Sequence, residues 1–435
     1  MDKKLTVSAT GDALFVADIP KEYYEGDFKA VSEFINSCQI KITNLETNVE
    51  KFGDFPNAYS GGTWLNTEPE VFDHLTKFGF NYYGTANNHC LDYSYHGLLS
   101  TIDELDKRNL AHSGTGRSLA EASAPAIVKA GDKKVAIFAI TTTFETASKA
   151  GEETKLQKAR PGVNYVGHET FYPIDKEGVE QLKNIAKTTR VNGHRELSIQ
   201  GGFVLPDPDG IYNFGGIKFC YDGSKKKTEC NKADKERVIN AIKQAKKEYD
   251  YVLVLIHCHD IKTDRHQDAP DYLEELSHAC IDAGASAMIG GGTHQLRAIE
   301  IYKGCPIFYS LGDFIYQGMR VPILPADFMT KYGLDINATA MDGLMKRSQN
   351  GKIGLQAKKC NFMTVIPKMT FDGETLTDLT MMPVVAGFDK AGKLNGLPYF
   401  AKGQEAEDIF NELVNLSTPY QTNLEMKDGF IKLKF

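Results

Sequence analysis

Side chains with metal-binding chemistry follow most of the predicted strands of this sequence, at the points where those strands end. Ligands of open α/β sheets bind beyond the carboxyl ends of the strands, so these side chains share one edge. Carboxylate, amide and several imidazole groups together suit a mid-row divalent ion such as Zn, Mn, Fe or Co, and are too rich in imidazole for Mg or Ca. Two ions bridged by one carboxylate would activate water. The candidate ligands are Asp12, Glu46, Asn88 with the adjacent His89, His257 with His259, and His294.

Each of these residues alone has an ordinary structural explanation. An aspartate after a strand commonly caps a helix or closes a turn, and so does an asparagine. A single histidine at a strand end is more often held by hydrogen bonds than by a metal ion. The whole set favours a common site, because independent structural roles would not be expected to place all of its members at the same sheet edge.

The sequence His257-Cys258-His259 allows a finer prediction. Residues two apart on a strand share a face, so both imidazoles can face the site while the Cys258 thiol points away. Cys258 is then a buried bystander, and a thiolate ligand is the alternative. His96 follows the Asn88-His89 segment and is expected beside the ligands rather than among them. The eight cysteines show no CxxC spacing, which is typical of buried thiols rather than of a disulfide framework.

The elements that position these residues alternate between strand and helix, which predicts a layered α/β domain. We expect strands at 5–9, 40–44, 80–86, 135–140, 251–256 and 285–289, and helices at 27–36, from 69, 94–108, 235–248 and 270–283. A hairpin is expected at 299–309. The simplest partition is a single domain over 1–435, with an irregular insertion at about 145–235. A β-rich C-terminal part follows from about 320, with strands at 362–367 and 380–385 and a helix at 405–416.

Composition and charge exclude several classes of protein. The 435 residues are 42% hydrophobic and 25% charged, an ordinary globular composition that excludes collagen-like and wholly disordered chains. The net charge of −7 argues against a nucleic-acid partner. No run of about 18 apolar residues is present, so no membrane-spanning segment is expected. The first twenty residues lack the apolar core of a signal peptide, so we expect a cytoplasmic chain, with a removed signal peptide or anchor as the open alternative.

Several motifs, in order over about residues 5–318, resemble the CapA family. Its members are associated with poly-γ-glutamate capsule synthesis and are similar to calcineurin-like metallophosphoesterases. The resemblance implies a four-layer α/β/β/α sandwich of metallophosphoesterase type with a dinuclear centre of Mn, Zn or Fe. The motifs are Gly11-Asp12, Asn44-Leu45-Glu46, Ala86-Asn87-Asn88-His89-Cys90-Leu91-Asp92, Asp282-Ala283-Gly284-Ala285 ahead of His294, and Tyr309-Ser310-Leu311-Gly312-Asp313-Phe314.

The resemblance also implies roles for individual residues. Asp12 and His294 would bind the first ion, Glu46 would bridge, and Asn88 and His257 would bind the second ion. His89 would protonate the leaving group, and Asp92 would orient His89.

Three positions depart from the pattern of the family. Gly292 stands where the first histidine of a His-x-His pair is usual, and His259 replaces a usual glycine. We hypothesise that His259 supplies the missing imidazole; the alternative is a weakened or lost metal site, and with it lost catalysis. Asp313 replaces a usual asparagine, which adds negative charge near the site and brings a further carboxylate within possible reach of a metal ion.

The implied function is that of a metal-dependent hydrolase in which a metal-bound hydroxide attacks and His89 donates a proton. Its substrate would be a phosphoester or a γ-glutamyl, capsule-related compound, either a small molecule or the polymer. The alternative is a non-catalytic binding or assembly protein of capsule polymer synthesis or export with a degenerate metal site. The insertion at 145–235 is expected to select the substrate, because it exceeds the length of a plain connection.

Overall fold

The computed structural model describes residues 4–223 and 227–434, so residues 224–226 of the predicted insertion lie outside the described part. The strands are β1 (Lys4–Leu14), β2 (Ile40–Leu45), β3 (Asn48–Val49), β4 (Asn66–Thr67), β5 (Tyr82–Gly84), β6 (Ala111–Ser113), β7 (Thr115–Gly116), β8 (Ala126–Ala130), β9 (Lys133–Thr141), β10 (Gly162–Val163), β11 (His168–Pro173), β12 (Ile211–Phe214), β13 (Ile217–Cys220), β14 (Lys227–Cys230), β15 (Tyr251–His257), β16 (Ala287–Gly291), β17 (Ile299–Tyr302), β18 (Cys305–Phe308), β19 (Asp313–Tyr316), β20 (Met363–Asp372), β21 (Thr375–Val385), β22 (Tyr399–Phe400), β23 (Leu424–Lys427) and β24 (Phe430–Leu433).

Twelve α-helices connect these strands within the described residues. They are α1 (Lys21–Glu25), α2 (Phe28–Asn36), α3 (Pro69–Thr76), α4 (Ser94–Lys107), α5 (Leu119–Ser123), α6 (Lys176–Thr189), α7 (Gly193–Gln200), α8 (Lys232–Glu248), α9 (Asp271–Asp282), α10 (Ala326–Lys331), α11 (Ala340–Arg347) and α12 (Gln404–Ser417). Short 3-10 helices lie at Thr146–Ser148, Leu355–Ala357, Lys359–Phe362, Gly392–Leu394 and Thr418–Tyr420. The predicted helices and strands of the regular regions all appear, with boundaries shifted by a few residues.

Two sheets form the body of the protein. The larger has the order β23-β24-β21-β20-β1-β2-β5-β6, with β19 also beside β1 and β22 beside β21. In this sheet β1, β2, β5, β6 and β19 are parallel, whereas β20 pairs antiparallel with β1. The smaller sheet has the order β17-β18-β16-β15-β9-β8, and its four inner strands are parallel. Both sheets therefore present several carboxyl strand ends to a ligand.

The buried side chains separate into layers that follow the alternation along each strand. On β15, Leu253 and Leu255 pack between the two sheets together with Val7 of β1. The alternate residues of β15, such as Val254, pack against α8 and α9 on the outer face. Helices α2 and α3 cover the outer face of the larger sheet, through side chains such as Ile35. The predicted four-layer α/β/β/α sandwich is confirmed.

The segment predicted as an irregular insertion, 145–235, is more regular than expected. It contains a small sheet of order β12-β13-β11-β14 and the amphipathic helix α6, which buries Val179 and Ala186. Its strands have only four to six residues, too few for their alternation to be recognised in the sequence. The division of the chain into one domain with an insertion stays a prediction.

The C-terminal part extends the larger sheet. The two strands predicted at 362–367 and 380–385 are parts of the long hairpin β20–β21, and β20 pairs with the first half of β1. None of the helices in the described ranges is both long and apolar enough to cross a membrane.

Candidate metal centre

The candidate ligands converge where the carboxyl ends of the two sheets face each other. Asp12 lies near the end of β1, Glu46 directly follows β2, and His257 ends β15. The Nδ1 atom of His257 lies 3.5 Å from Asp12 Oδ1, and its Nε2 atom lies 3.4 Å from Glu46 Oε1. The larger sheet therefore supplies the carboxylates and the smaller sheet an imidazole between them.

Asp12 is buried and held in one orientation. Its Oδ1 accepts a hydrogen bond from Asn44 Nδ2 at 2.7 Å, and its Oδ2 accepts one from the Gly292 N–H at 2.6 Å. Burial acts to raise the pKa of Asp12, but His257 and these two donors outweigh it and lower the pKa. The backbone of Gly312 approaches β1 closely here, since a Cβ atom on Gly11 would lie 1.8 Å from the Gly312 carbonyl oxygen. Only glycine fits at position 11.

Glu46 is fully buried, and neither of its carboxylate oxygens has a hydrogen-bond partner. Its Oε1 lies 3.8 Å from His89 Nε2 and 3.9 Å from His259 Nε2, besides the approach of His257. A buried carboxylate without hydrogen bonds is costly, so a cation is the expected partner.

Asn88, His257 and His259 form a second group of donors next to Glu46. The Nε2 atom of His257 lies 2.7 Å from Asn88 Oδ1 and 3.1 Å from His259 Nε2. Asn88 is fixed by its Nδ2 atom, which donates to the Gly61 carbonyl at 2.8 Å. Burial and the neighbouring His257 and His294 hold the pKa of His259 well below its usual range, so its imidazole is neutral, as metal binding requires.

The geometry explains why histidine is absent from position 292. Gly292 has φ +110°, and a Cβ atom there would lie 2.7 Å from the backbone nitrogen of Cys258. Its backbone N–H is already used by Asp12. The ring of His259 instead lies 5.2 Å from the ring of His294, within the cluster of candidate ligands. Cys258 points the opposite way, with its Sγ 3.2 Å from Tyr272 Oη, so the predicted orientation of this thiol is confirmed.

We expect His259→Gln to lower the affinity for a divalent ion by about 100-fold or more. Loss of a residue that only orients a ligand can already lower metal affinity by about that much, and loss of the ligand itself should cost at least as much. Metal content after dialysis, measured by inductively coupled plasma mass spectrometry, should fall by one equivalent. His278→Gln is the matched control, since His278 bonds Glu300 at 2.8 Å and has no contact with the cluster. Unchanged metal content in His259→Gln would exclude this imidazole as a ligand.

His294 and Asp313 form a pair at the side of the centre nearest Asp12. The Nδ1 atom of His294 lies 3.0 Å from Asp313 Oδ2. Burial lowers and Asp313 raises the pKa of His294, to a net value of about 9, while burial raises the pKa of Asp313 to about 7. The Asp313 carboxylate also lies close to those of Asp12 and Glu46, so it joins the donor set directly.

His89 and Asp92 form a buried dyad at the edge of the centre. The Nδ1 atom of His89 lies 2.6 Å from Asp92 Oδ2, and its Nε2 atom faces Glu46. Asp92 also accepts hydrogen bonds from the N–H groups of Gly61 and Leu65, at 2.9 and 2.8 Å. Burial opposes protonation of His89, but Asp92 and then Glu46 outweigh it and raise the pKa of His89. The Nε2 atom therefore faces the centre, and its surroundings favour the protonated form of the imidazole.

The donors divide into two groups of three that share one carboxylate. Glu46, His257 and His259 form one group, and Asp12, Glu46 and Asp313 the other; within each, the ligand atoms lie within 4.8 Å of one another. Together with the unpartnered oxygens of Glu46, this arrangement suits a metal site in which Glu46 belongs to both groups. The sequence suggested Asp313 only as a further carboxylate within reach of a metal ion, and it did not single out Asn44, which orients Asp12.

A cavity of about 350 Å³ opens onto this centre. His89 and His294 lie at its base, and Gly61, Gly62 and Thr63 form one wall. The C-terminal part also lines the cavity, through Arg347 and residues 353–356. No described residue of the insertion lines this cavity, and the expectation that 145–235 selects the substrate stays a prediction. The sequence carried no signal for Arg347, whose place depends on long-range packing.

The fold and the centre define a four-layer α/β protein with a cluster of His, Asp and Glu side chains suited to metal ions at the facing sheet edges. Residues 6–318 match the family described as bacterial capsule synthesis protein PGA_cap, and the chain belongs to this family. The sequence resemblance to CapA proteins is thereby confirmed.

Individual relatives share less than a third of their residues with this chain. An uncharacterised protein, y4sH of Sinorhizobium fredii, is 29% identical over 98% of this chain and 93% of its own length. The PGA biosynthesis protein CapA of Bacillus subtilis is 27% identical over 73% of this chain and 64% of its own length. A candidate 5′-nucleotidase from Staphylococcus aureus, solved with α-ketoglutarate, aligns with 95% of this chain and 58% of its own, at 9% identity and a TM-score of 0.38.

Proposed function

We propose that this protein is a metal-dependent hydrolase whose substrate carries an anionic group. The observation that carries the proposal is Glu46, a fully buried carboxylate with two unpartnered oxygens and three imidazoles within 4 Å. The charge and donor chemistry around it suit two divalent ions better than they suit a purely structural core.

The residues of the chain would divide the work. Asp12, Asp313 and His294 would hold one ion, Asn88, His257 and His259 the other, and Glu46 both. When bound, the ions would supply an activated water and Lewis-acid stabilisation of developing negative charge. His89, held by Asp92, would donate the proton from its Nε2 atom to the leaving group. The cavity walls would position the substrate above the centre.

Two substrate classes suit this cavity, which has the cationic Arg347 in one wall and His89 and His294 at its base. A phosphoester is the first. A γ-glutamyl amide is the second, because its free α-carboxylate would pair with a guanidinium, and the CapA relatives are named for PGA and capsule biosynthesis.

One observation favours a non-catalytic alternative. The position that would carry a further histidine is Gly292, where the backbone leaves no room for a side chain. If His259 does not replace it, the chain would be a binding or assembly protein for capsule polymer with a degenerate centre.

Metal analysis and activity together test the proposal. Protein purified without added metal should hold about two equivalents of a transition ion at this centre, and should hydrolyse p-nitrophenyl phosphate or γ-glutamyl-p-nitroanilide in proportion to the occupancy of the centre. The preferred compound distinguishes the two substrate classes. Absence of metal even after reconstitution with Mn²⁺ or Zn²⁺ would exclude the hydrolase.

Arg347 provides a test of the substrate charge. Arg347→Gln should raise KM for the anionic substrate by about 10- to 100-fold, because a charge-assisted hydrogen bond is worth about 1.5–3 kcal/mol. Metal content should not change, since Arg347 contacts Thr63 and the Phe328 ring rather than the ligands. The control is Lys346→Gln, which alters the adjacent exposed cation. An equal KM in all three proteins would remove Arg347 from substrate binding.

A further inference from the structure

A second cluster of metal-binding side chains lies outside the centre described above. Glu50 follows the short strand β3, Asp54 lies in the loop beyond it, and His96 stands in the first turn of α4. Their ligand atoms lie within 4.8 Å of one another. None of the three lines the cavity over the centre, and none was assigned a ligand role above.

Glu50 is the unusual member of this cluster. It is 2% exposed, and neither of its carboxylate oxygens has a hydrogen-bond partner. A surface acidic cluster would leave these oxygens to water, whereas here the protein encloses them. Burial, and then the nearby Asp54, raise the pKa of Glu50 to about 8, as expected for an acid without a cationic partner.

His96 faces Glu50 without making a hydrogen bond to it. Its Nε2 atom, also buried and unpartnered, lies 3.7 Å from Glu50 Oε2 and 4.0 Å from Asp54 Oδ2. These separations are too long for direct hydrogen bonds and close to those between ligand atoms that share a small ion. The ring of Phe55 packs edge-on against the imidazole at 4.6 Å and restricts its orientation.

We propose that Glu50, Asp54 and His96 form a separate binding site for one divalent transition ion. Two carboxylates and one imidazole are typical ligands of Zn²⁺ and Mn²⁺. The Asp54 side chain is 64% exposed, so water can complete the coordination from the solvent side.

The site would fasten the loop after β3 to the start of α4. Asn48 already connects these segments, since its Nδ2 donates to the Cys90 carbonyl at 3.0 Å and its Oδ1 accepts from the Tyr93 N–H at 3.0 Å. An ion between Glu50 and His96 would add a second connection one helical turn further along. The function of the site is therefore to hold this connection rather than to take part in hydrolysis.

The test separates this ion from those of the candidate centre by disabling the centre first. In a Glu46→Ala background, titration with Zn²⁺ or Mn²⁺ should still load one equivalent and raise the melting temperature. Addition of either His96→Gln or Asp54→Asn should remove that equivalent and its stabilisation. His112→Gln, which alters a histidine paired with Asp106 at 3.1 Å, should leave both unchanged.

The single substitution His96→Gln should lower total metal content by one equivalent while hydrolysis stays within twofold of the unsubstituted protein. Asp54 lies in an exposed loop, so Asp54→Asn keeps the test valid if His96→Gln fails to fold. Retention of the equivalent in folded Asp54→Asn, or no metal bound in the Glu46→Ala background, would overturn the proposal. Neither result would bear on whether the centre at Glu46 is catalytic.

Discussion

Glu46→Gln should abolish hydrolysis, with a fall in kcat/KM of about 1,000-fold or more, because metal ions supply several kcal/mol of transition-state stabilisation. Metal content should fall toward the single equivalent expected at the separate site. The reason is the position of the Glu46 carboxylate, which belongs to both sets of three donors. Glutamine keeps the volume of the buried side chain, so the fold should survive.

The matched control for this substitution is Glu300→Gln. Glu300 is likewise a carboxylate beside a histidine, with His278 Nε2 at 2.8 Å, but it lies on the edge strand β17 of the smaller sheet. Circular dichroism and metal analysis on both variants separate loss of ions from loss of structure. Full metal content in folded Glu46→Gln would contradict the bridging position and with it the proposed function.

The polar residues at the carboxyl ends of the strands could be predicted from the sequence, because the pattern that marks them is local. A strand of alternating or continuous apolar residues followed at once by Asp12, Glu46 or His257 is visible without knowledge of the fold. The opposite orientations of Cys258 and its neighbours follow from the two-residue period of a strand, and the structure shows the thiol in the outer core.

The features that sequence reasoning missed depend on contacts between distant parts of the chain. Arg347 reaches the cavity because α11 packs there, 284 residues from its partner Thr63. The unpartnered state of Glu50 is equally hidden, since an acidic residue in a polar loop normally faces solvent. The insertion contains short strands whose alternation is too brief to identify.

Gly292 departs from the family pattern, and the sequence and the structure each explain a part of this departure. The sequence alone left open whether the centre had lost a ligand or exchanged it for His259. The structure supplies the steric reason, because a side chain at 292 would collide with the backbone of Cys258. It also places the His259 Nε2 atom 3.1 Å from that of His257, where His259 can take the place of the missing ligand. The His259→Gln variant tests this exchange.

His89→Asn should reduce kcat by about 100- to 10,000-fold while metal content stays unchanged, since general acid catalysis commonly contributes that much. Asp92 and Glu46 raise the pKa of His89 from its ordinary value, which favours the protonated imidazole in the metal-free protein. Hydrolysis should therefore fall as the pH rises through the pKa of His89, and this alkaline decline should be absent in His89→Asn. Asp92→Asn should shift the decline to lower pH, because the carboxylate that stabilises the imidazolium is gone.

The effect of His89→Asn should also depend on the leaving group. A p-nitrophenolate leaves without protonation, so its ester should lose the least activity, whereas an alkyl ester or an amide needs the proton and should lose the most. A structural role for His89 would reduce all these rates equally. An equal loss across leaving groups, or loss of metal in His89→Asn, would therefore show that His89 supports the structure around Glu46 and does not transfer a proton. The 3.8 Å between His89 Nε2 and Glu46 Oε1 leaves the imidazole close to the centre without a hydrogen bond to Glu46, so its Nε2 atom is free to face a substrate.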